Sequence, residues 1–228
     1  MIIGTGLIAQ AFIQHFEDDP NVIIFASGVS NSRENRSQAF LRERQMLIEA
    51  LSFQKMLVYF STCSVCDPEL QTSPYVMHKK EMEVFVAHSA KDYAIFRLPQ
   101  VVGETPNPNT LTNYLYQQII SGASFQVWRH AKRNLIDVDD VASIVSYLVR
   151  ASLANGITTN IASPFAISIP QLVSVFELVL GKKASYALID AGGTYSVDSS
   201  LATEAASQLG VDFDETYVEK LIRKYYGE

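Results

Sequence analysis

The chain has 228 residues, 48% hydrophobic and 18% charged, which is enough apolar side chain for a substantial core. Eighteen Lys and Arg against 24 Asp and Glu leave a net charge of −6. That balance gives no support to nucleic-acid binding, whose usual footprint is a basic excess. No apolar run approaches the ~20 residues of a bilayer span. The opening Met1-Ile2-Ile3-Gly4 lacks the basic region of a secretory leader. The two cysteines, Cys63 and Cys66, suit a reducing compartment, so a cytoplasmic protein with no membrane or nucleic-acid partner is expected.

In the first half, short apolar runs alternate with helical periodicity. Strands are expected at 2–3, 22–26, 56–61 and 93–98, and helices at 7–17, 37–51 and 75–88. Val-, Ile- and Phe-rich strands separated by amphipathic helices argue for βαβ units and a parallel sheet. Parallel crossovers are right-handed as a rule, so a Rossmann-like, doubly wound α/β structure is expected. Helices are also expected at 111–120 and 138–150. Another is expected at 169–180, with Ser168 or the preceding turn as its cap, Pro170 in its first turn and Gly181 as its stop. The tail, 199–226, reads as helical with a break at Gly210.

Ile3-Gly4-Thr5-Gly6-Leu7-Ile8-Ala9 reads as strand, Gly-x-Gly-x-x-Ala, helix. Gly4 permits a tight turn, Gly6 lets backbone approach a pyrophosphate at the helix N-terminus, and Ala9 lets the helix pack on the strand. The acid that usually follows about 20 residues later, at the end of the second strand, is absent. That strand ends in Ala26-Ser27-Gly28.

The third strand runs into Ser61-Thr62-Cys63, and Tyr75-Val76-Met77-His78-Lys79 follows. Tyr and Lys four apart share one helix face. A nearby ammonium favours phenolate and lowers a tyrosine pKa from ~10 toward working pH. With the Thr62 hydroxyl on the same substrate oxygen, this is a proton-transfer device for alcohol–carbonyl chemistry.

Other constellations carry less. Cys63 and Cys66 have Cys-x-x-Cys spacing, but the pair follows a strand end and has no second pair. No metal is expected, since His15, His88 and His130 lack ligand spacing. His78 is turned about 100° from Lys79, toward the surface or an interface. Asp139 and Asp140 are expected to open a helix, one as its N-cap. Trp128 and Arg129 either line a base pocket or pack on the second half of the chain.

Taken in order, these segments resemble the extended short-chain dehydrogenase/reductase family, the group of nucleotide-sugar epimerases, dehydratases and reductases. Gly4 to Ala9 resembles its glycine turn, Ser61-Thr62-Cys63-Ser64-Val65 its strand end, and Tyr75 with Lys79 its Tyr-x-x-x-Lys. Arg133-Asn134-Leu135-Ile136-Asp137-Val138-Asp139-Asp140 resembles its Arg…Ile-His-Val-Asp-Asp segment. The resemblance implies catalytic Thr62, Tyr75 and Lys79. It implies NAD or NADP held by Gly4, Thr5, Gly6, Leu7, Ile8, Ala26, Ser27, Gly28, Tyr75, Lys79 and Pro99. It also implies a nucleotide-sugar substrate held by Thr62, Cys63, Gln100 and Arg133, and a homodimer through the helices at 37–51 and 74–88. Phe40, Met46, Leu47, Met82, Phe85 and Val86 would form the dimer seam.

The strand ending at Ser27-Gly28 matches the fourth strand of that family, not its second. A shortened member is therefore expected. It would have four or five parallel strands in a dinucleotide-binding core at 1–105, and a small C-terminal α/β lobe at 106–228 intertwined with that core. The reaction implied is hydride transfer at a sugar carbon, as reductase or epimerase. Dehydration is disfavoured by Cys63-Ser64, where the dehydratases carry Asp-Glu. The lost adenine cradle leaves a second class open, a non-catalytic dinucleotide- or sugar-nucleotide-binding sensor or assembly protein.

Overall fold

The structure is a computed structural model that describes residues 1–227. The first half folds as β1 (Ile2–Ile3), α1 (Leu7–Ala11), α2 (Ile13–Phe16), β2 (Val22–Phe25), α3 (Ser37–Leu51), β3 (Met56–Thr62), α4 (Pro74–Ser89) and β4 (Tyr93–Leu98). The second half adds β5 (Gln100–Val102), α5 (Leu111–Ser121), β6 (Ser124–Trp128), β7 (Lys132–Asp137), α6 (Val138–Arg150), β8 (Ile157–Asn160), β9 (Ala166–Ser168), α7 (Ile169–Leu180), β10 (Ser185–Ile189), α8 (Ser200–Gln208) and α9 (Tyr217–Tyr226). The helix expected at 7–17 breaks at Phe12, which caps α1 and opens α2.

The central sheet is five-stranded and parallel, in the order β1-β2-β3-β4-β8. Its register aligns Ile2, Ile24, Val58, Ala94 and Ile157 in one row. Successive side chains point to opposite faces, and helices cover both. Val22, Ile24, Val58, Phe60, Ala94 and Phe96 pack against Phe12, Phe16 and the α6 residues Val141, Ile144, Val145 and Leu148. Ile23, Phe25, Leu57, Tyr59 and Ile95 pack against Leu47 and Ala50 of α3 and Met82 and Val86 of α4.

This arrangement corrects the expectation of uniformly right-handed crossovers. The steps β1 to β2, β2 to β3 and β3 to β4 all run in the same direction. The first passes through α1 and α2 on one face, and the next two pass through α3 and α4 on the other. Equal steps through opposite faces have opposite hand. Burial of Ala9, Phe12 and Phe16 holds α1 and α2 on the α6 face, and no strand intervenes before β2 to carry the chain to the other side.

The chain leaves the sheet after β4 and returns to it. β5, β7 and β9 form a second sheet, and β6 with β10 a third. Together with α5, α7 and α9 they enclose Leu115, Ile119, Phe125, Leu172, Phe176 and Leu221. A cut at 105 does not separate two bodies, since α6, β8 and α8 rejoin the first core. Ser168 caps α7 in a reciprocal box with Gln171, and Gly181 ends it at φ 60°. No helix among the described residues is long and apolar enough to cross a membrane.

The N-cap of α6 is Asp137, which accepts from the Asp139 amide at 2.9 Å. Asp139 and Asp140, expected to include that cap, face α9 instead. Lys224 Nζ donates to Asp137 at 2.8 Å and Asp139 at 2.7 Å. Tyr217 Oη donates to Asp140 at 2.6 Å and accepts from the Asp137 amide at 2.9 Å. Tyr217→Phe leaves that buried amide without a partner. Urea unfolding is expected to show a loss of about 1–3 kcal/mol with unchanged slope.

Candidate active site

A cleft of about 680 Å³ opens at the carboxyl ends of the central strands, where ligands of open α/β sheets bind. Thr5, Gly6, Leu7 and Ile8 line one wall, Ala26, Ser27 and Gly28 a second, and Thr62, Tyr75, Lys79, Pro99 and Gln100 a third. The lining also includes Asn31, Arg42, Thr105, Asn107 and Thr110, which sequence reasoning did not single out. Gly4 shapes the turn beneath. Its φ is +135°, and a Cβ there would lie 2.5 Å from the Ala26 carbonyl oxygen. At Gly6 φ is an ordinary −80°, and a Cβ would meet nothing within 4 Å. Two expected substrate residues fall outside the cleft lining. Cys63 is buried, its thiol donating to the Arg97 carbonyl at 3.3 Å, and burial pushes its pKa up. Arg133 donates to the Lys132 carbonyl at 2.7 Å and lies near Tyr195, which sequence reasoning did not single out.

Thr62 ends β3 and caps the short 3₁₀ turn Cys63–Cys66, its hydroxyl accepting from the Ser64 amide at 3.1 Å. Pro74 opens α4, and Tyr75 in the same turn is buried against Val29, Val65 and Val76. Burial pushes the Tyr75 phenol up to about 12, while the facing Thr62 hydroxyl pulls it the other way.

Lys79 lies one turn further on and is 2% exposed. Its ammonium donates to Glu43 Oε1 at 2.9 Å, Tyr59 Oη at 3.1 Å and the Phe60 carbonyl at 3.3 Å. An ammonium has three N–H groups, and all three are used. The expected lowering of the Tyr75 phenol by Lys79 is therefore not what this geometry produces. The charge is paired with Glu43 and the phenol is raised.

Sequence reasoning missed Glu43. It sits at a core position of α3 and is 0% exposed. Besides Lys79 it accepts from Tyr59 Oη at 2.6 Å, the Val29 amide at 2.7 Å and His78 Nε2 at 2.9 Å. His78, expected at the surface or an interface, is buried and stacks on Phe40 at 4.5 Å, because its turn away from Lys79 points it at α3. A signal was present, since Phe40, Glu43, Leu47 and Ala50 share one helical face, and a carboxylate there requires partners.

Burial pushes the Glu43 carboxyl up, but the hydrogen bonds and the Lys79 charge outweigh it and hold the group at about 2. The folded value lies below the ordinary 4.5, so the stabilisation is full above that pH and is lost as pH falls through about 2. Its size is on the order of 3 kcal/mol. Urea midpoints taken across that range should fall steeply for the wild type and less for Glu43→Gln. At neutral pH that variant should be weaker by about 3–5 kcal/mol, because it leaves Lys79 buried without a counter-charge.

A family model described as the NAD dependent epimerase/dehydratase family matches residues 7–162. Among solved structures, the UDP-glucuronic acid 4-epimerase from Bacillus cereus, in complex with UDP-glucuronic acid and NAD, is 18% identical with a TM-score of 0.72. The match covers 98% of this chain and 77% of that one. RMD from Pseudomonas aeruginosa, complexed with NADPH, is 14% identical with a TM-score of 0.68, over 97% of this chain and 86% of that one. The UDP-N-acetylglucosamine 4-epimerase from Methanobrevibacter ruminantium M1, in complex with UDP-N-acetylmuramic acid, is 18% identical with a TM-score of 0.70, over 98% and 81%. At these identities the structural likeness shows the fold, and the uneven coverage marks a shortened form of it. No match is found among curated protein sequences. On the family match, which spans more than half of the sequence, the chain belongs to the NAD-dependent epimerase/dehydratase family.

Proposed function

We propose that the protein is a cytoplasmic, NAD(P)-dependent enzyme that moves a hydride at a carbon of a nucleotide-linked sugar. The observation that carries this reading is the single cleft lined by both the glycine turn and the Thr62–Tyr75 pair. The residues fit the pyrophosphate and nicotinamide ends of such a cofactor. Thr5, Gly6, Leu7 and Ile8 offer backbone at the turn, and the space beside Gly6 admits a group that a Cβ would exclude. When bound, the nicotinamide supplies or accepts the hydride. Tyr75 serves as the general acid/base at the sugar oxygen and Thr62 gives that oxygen a second hydrogen bond. Lys79 anchors the helix that carries Tyr75. Pro99 bounds the cofactor side and Gln100 the substrate side, while Arg133 and Cys63 lie outside the cleft lining.

The saturated Lys79 also favours a second reading, a non-catalytic binder of a dinucleotide or sugar nucleotide. Titration with NADH and NADPH, followed by cofactor fluorescence, separates the two when paired with a screen of UDP-, dTDP- and GDP-sugars. Saturable cofactor binding with turnover is expected. Tyr75→Phe should lower turnover by about 10²–10⁴-fold with binding retained. Gly6→Val should keep the fold and lose the cofactor. Sugar-nucleotide binding with no cofactor binding would replace the enzyme reading with the second one.

We also propose a homodimer through α3 and α4, on a seam different from the expected one. Leu47, Met82 and Val86 are spent on the sheet and Met46 and Phe85 are half-buried beside them, because those positions face the strands. The exposed apolar residues are Leu41 and Ile48 on α3 and Met77 and Val84 on α4. A spacing of seven puts each pair on one stripe. Sedimentation should give a dimer for the wild type and a monomer for Leu41→Asp with Val84→Asp.

A further inference from the structure

The Tyr75, Lys79 and Glu43 arrangement bears on the direction of the chemistry. Glu43 is enclosed, and each of its oxygens has two donors. The Lys79 ammonium has no N–H left for Tyr75 or for a ligand. The pair is also fixed from above. A Cβ at Gly28 would lie 2.7 Å from Lys79 Nζ and 2.9 Å from Glu43 Oε1, so the backbone of the cleft wall rests directly on it. Around Tyr75 the other titratable groups are Glu43 on α3, Cys63 and Cys66 on the 3₁₀ turn, and Tyr59 on β3. Around Lys79 they are Glu43, Tyr59 and, one turn along α4, Glu83. Arg42 of α3 also lines the cleft, its guanidinium donating to the Ser27 carbonyl at 2.8 Å, whereas Lys79, the cation on the phenol's own helix face, is compensated by Glu43.

We propose that Glu43 is a positioning residue that holds the Lys79 ammonium against β3 with no N–H left for Tyr75, leaving Tyr75 a proton donor, so that the cleft serves reduction of a carbonyl on a nucleotide-linked sugar. This rests on the enzyme reading above. In the step, the carbonyl carbon gains a hydride from a reduced nicotinamide, which is oxidised. The carbonyl oxygen gains the Tyr75 proton, and the phenolate recovers a proton from solvent. An epimerase must begin by taking a proton from an alcohol, which needs the phenolate first. With the lysine charge committed to Glu43 that form is scarce at neutral pH, and burial of the phenol works in the same direction.

The test is a pH titration of the protein carrying ¹³Cζ-labelled tyrosine, followed by NMR without cofactor, with Tyr75→Phe to assign the resonance. The Tyr75 signal is expected to stay in its phenol form past pH ~10, the ordinary tyrosine value. In Glu43→Gln its midpoint should fall by at least one unit, a tenfold gain in phenolate, and the pH profile of turnover should follow it. A wild-type midpoint below pH 8, or an unchanged midpoint in folded Glu43→Gln, overturns the proposal. The wild-type arm decides even where the variant fails to fold. Cofactor binding with a low midpoint would sink this inference and spare the enzyme reading, whereas a high midpoint without cofactor binding would do the reverse.

Discussion

A carboxylate removed from water must have its lone pairs met, or it neutralises instead. Glu43 meets that condition by collecting donors from separate parts of the fold. Tyr59 comes from β3, the Val29 amide from the loop after β2, and His78 and Lys79 from α4. Those elements are thereby fixed to α3 at one point directly behind the cleft. The position of Tyr75, one turn before Lys79 on the same helix, depends on that anchorage. So does the path of Gly28, which leaves no room for a side chain between cleft and ion pair.

The same logic extends along α4. Tyr75, Lys79 and Glu83 recur every four residues and are all buried, so the helix lays a polar stripe on the sheet where an apolar one is usual. Glu83 takes a two-pronged contact from Arg97, at 2.9 and 2.6 Å, and a hydrogen bond from Ser61 at 2.5 Å. Each polar residue finds fitting partners on β3 or β4. A slide of the helix by one turn would strand buried charge. Apolar contacts alone tolerate such slides better, so the stripe sets the helix register more sharply than Met82 and Val86 could.

What the amino-acid order reveals here follows the range of the interactions. The glycine turn, the continuous apolar strands and the Tyr75–Lys79 spacing are local patterns, and they read directly. The partners of Lys79 do not, because Tyr59 and Glu43 lie 20 and 36 residues away in sequence and nothing in Tyr-x-x-x-Lys reports them. The spacing correctly puts the lysine one turn from the phenol but says nothing of where its protons go. The small strands β6 and β10 escape for another reason. They are five residues each, and their pairing is made by tertiary context more than by propensity. Likewise the exposed apolar stripe on which a dimer is proposed is visible only once the sheet has claimed Leu47, Met82 and Val86, leaving Leu41, Ile48, Met77 and Val84 outside.

The placement of β1 has a kinetic side. It is the edge strand of the sheet, two residues long, with no strand paired beyond it among the described residues. A dinucleotide gripped at the turn that follows β1 therefore has little protein past that turn to hold its far end. Affinity lost in this way is lost mainly through faster departure, so such a ligand would have a short residence time. A cofactor that exchanges readily suits chemistry in which it is spent and replaced at every turnover. It works against a cycle in which one molecule must take a hydride and remain in place to return it.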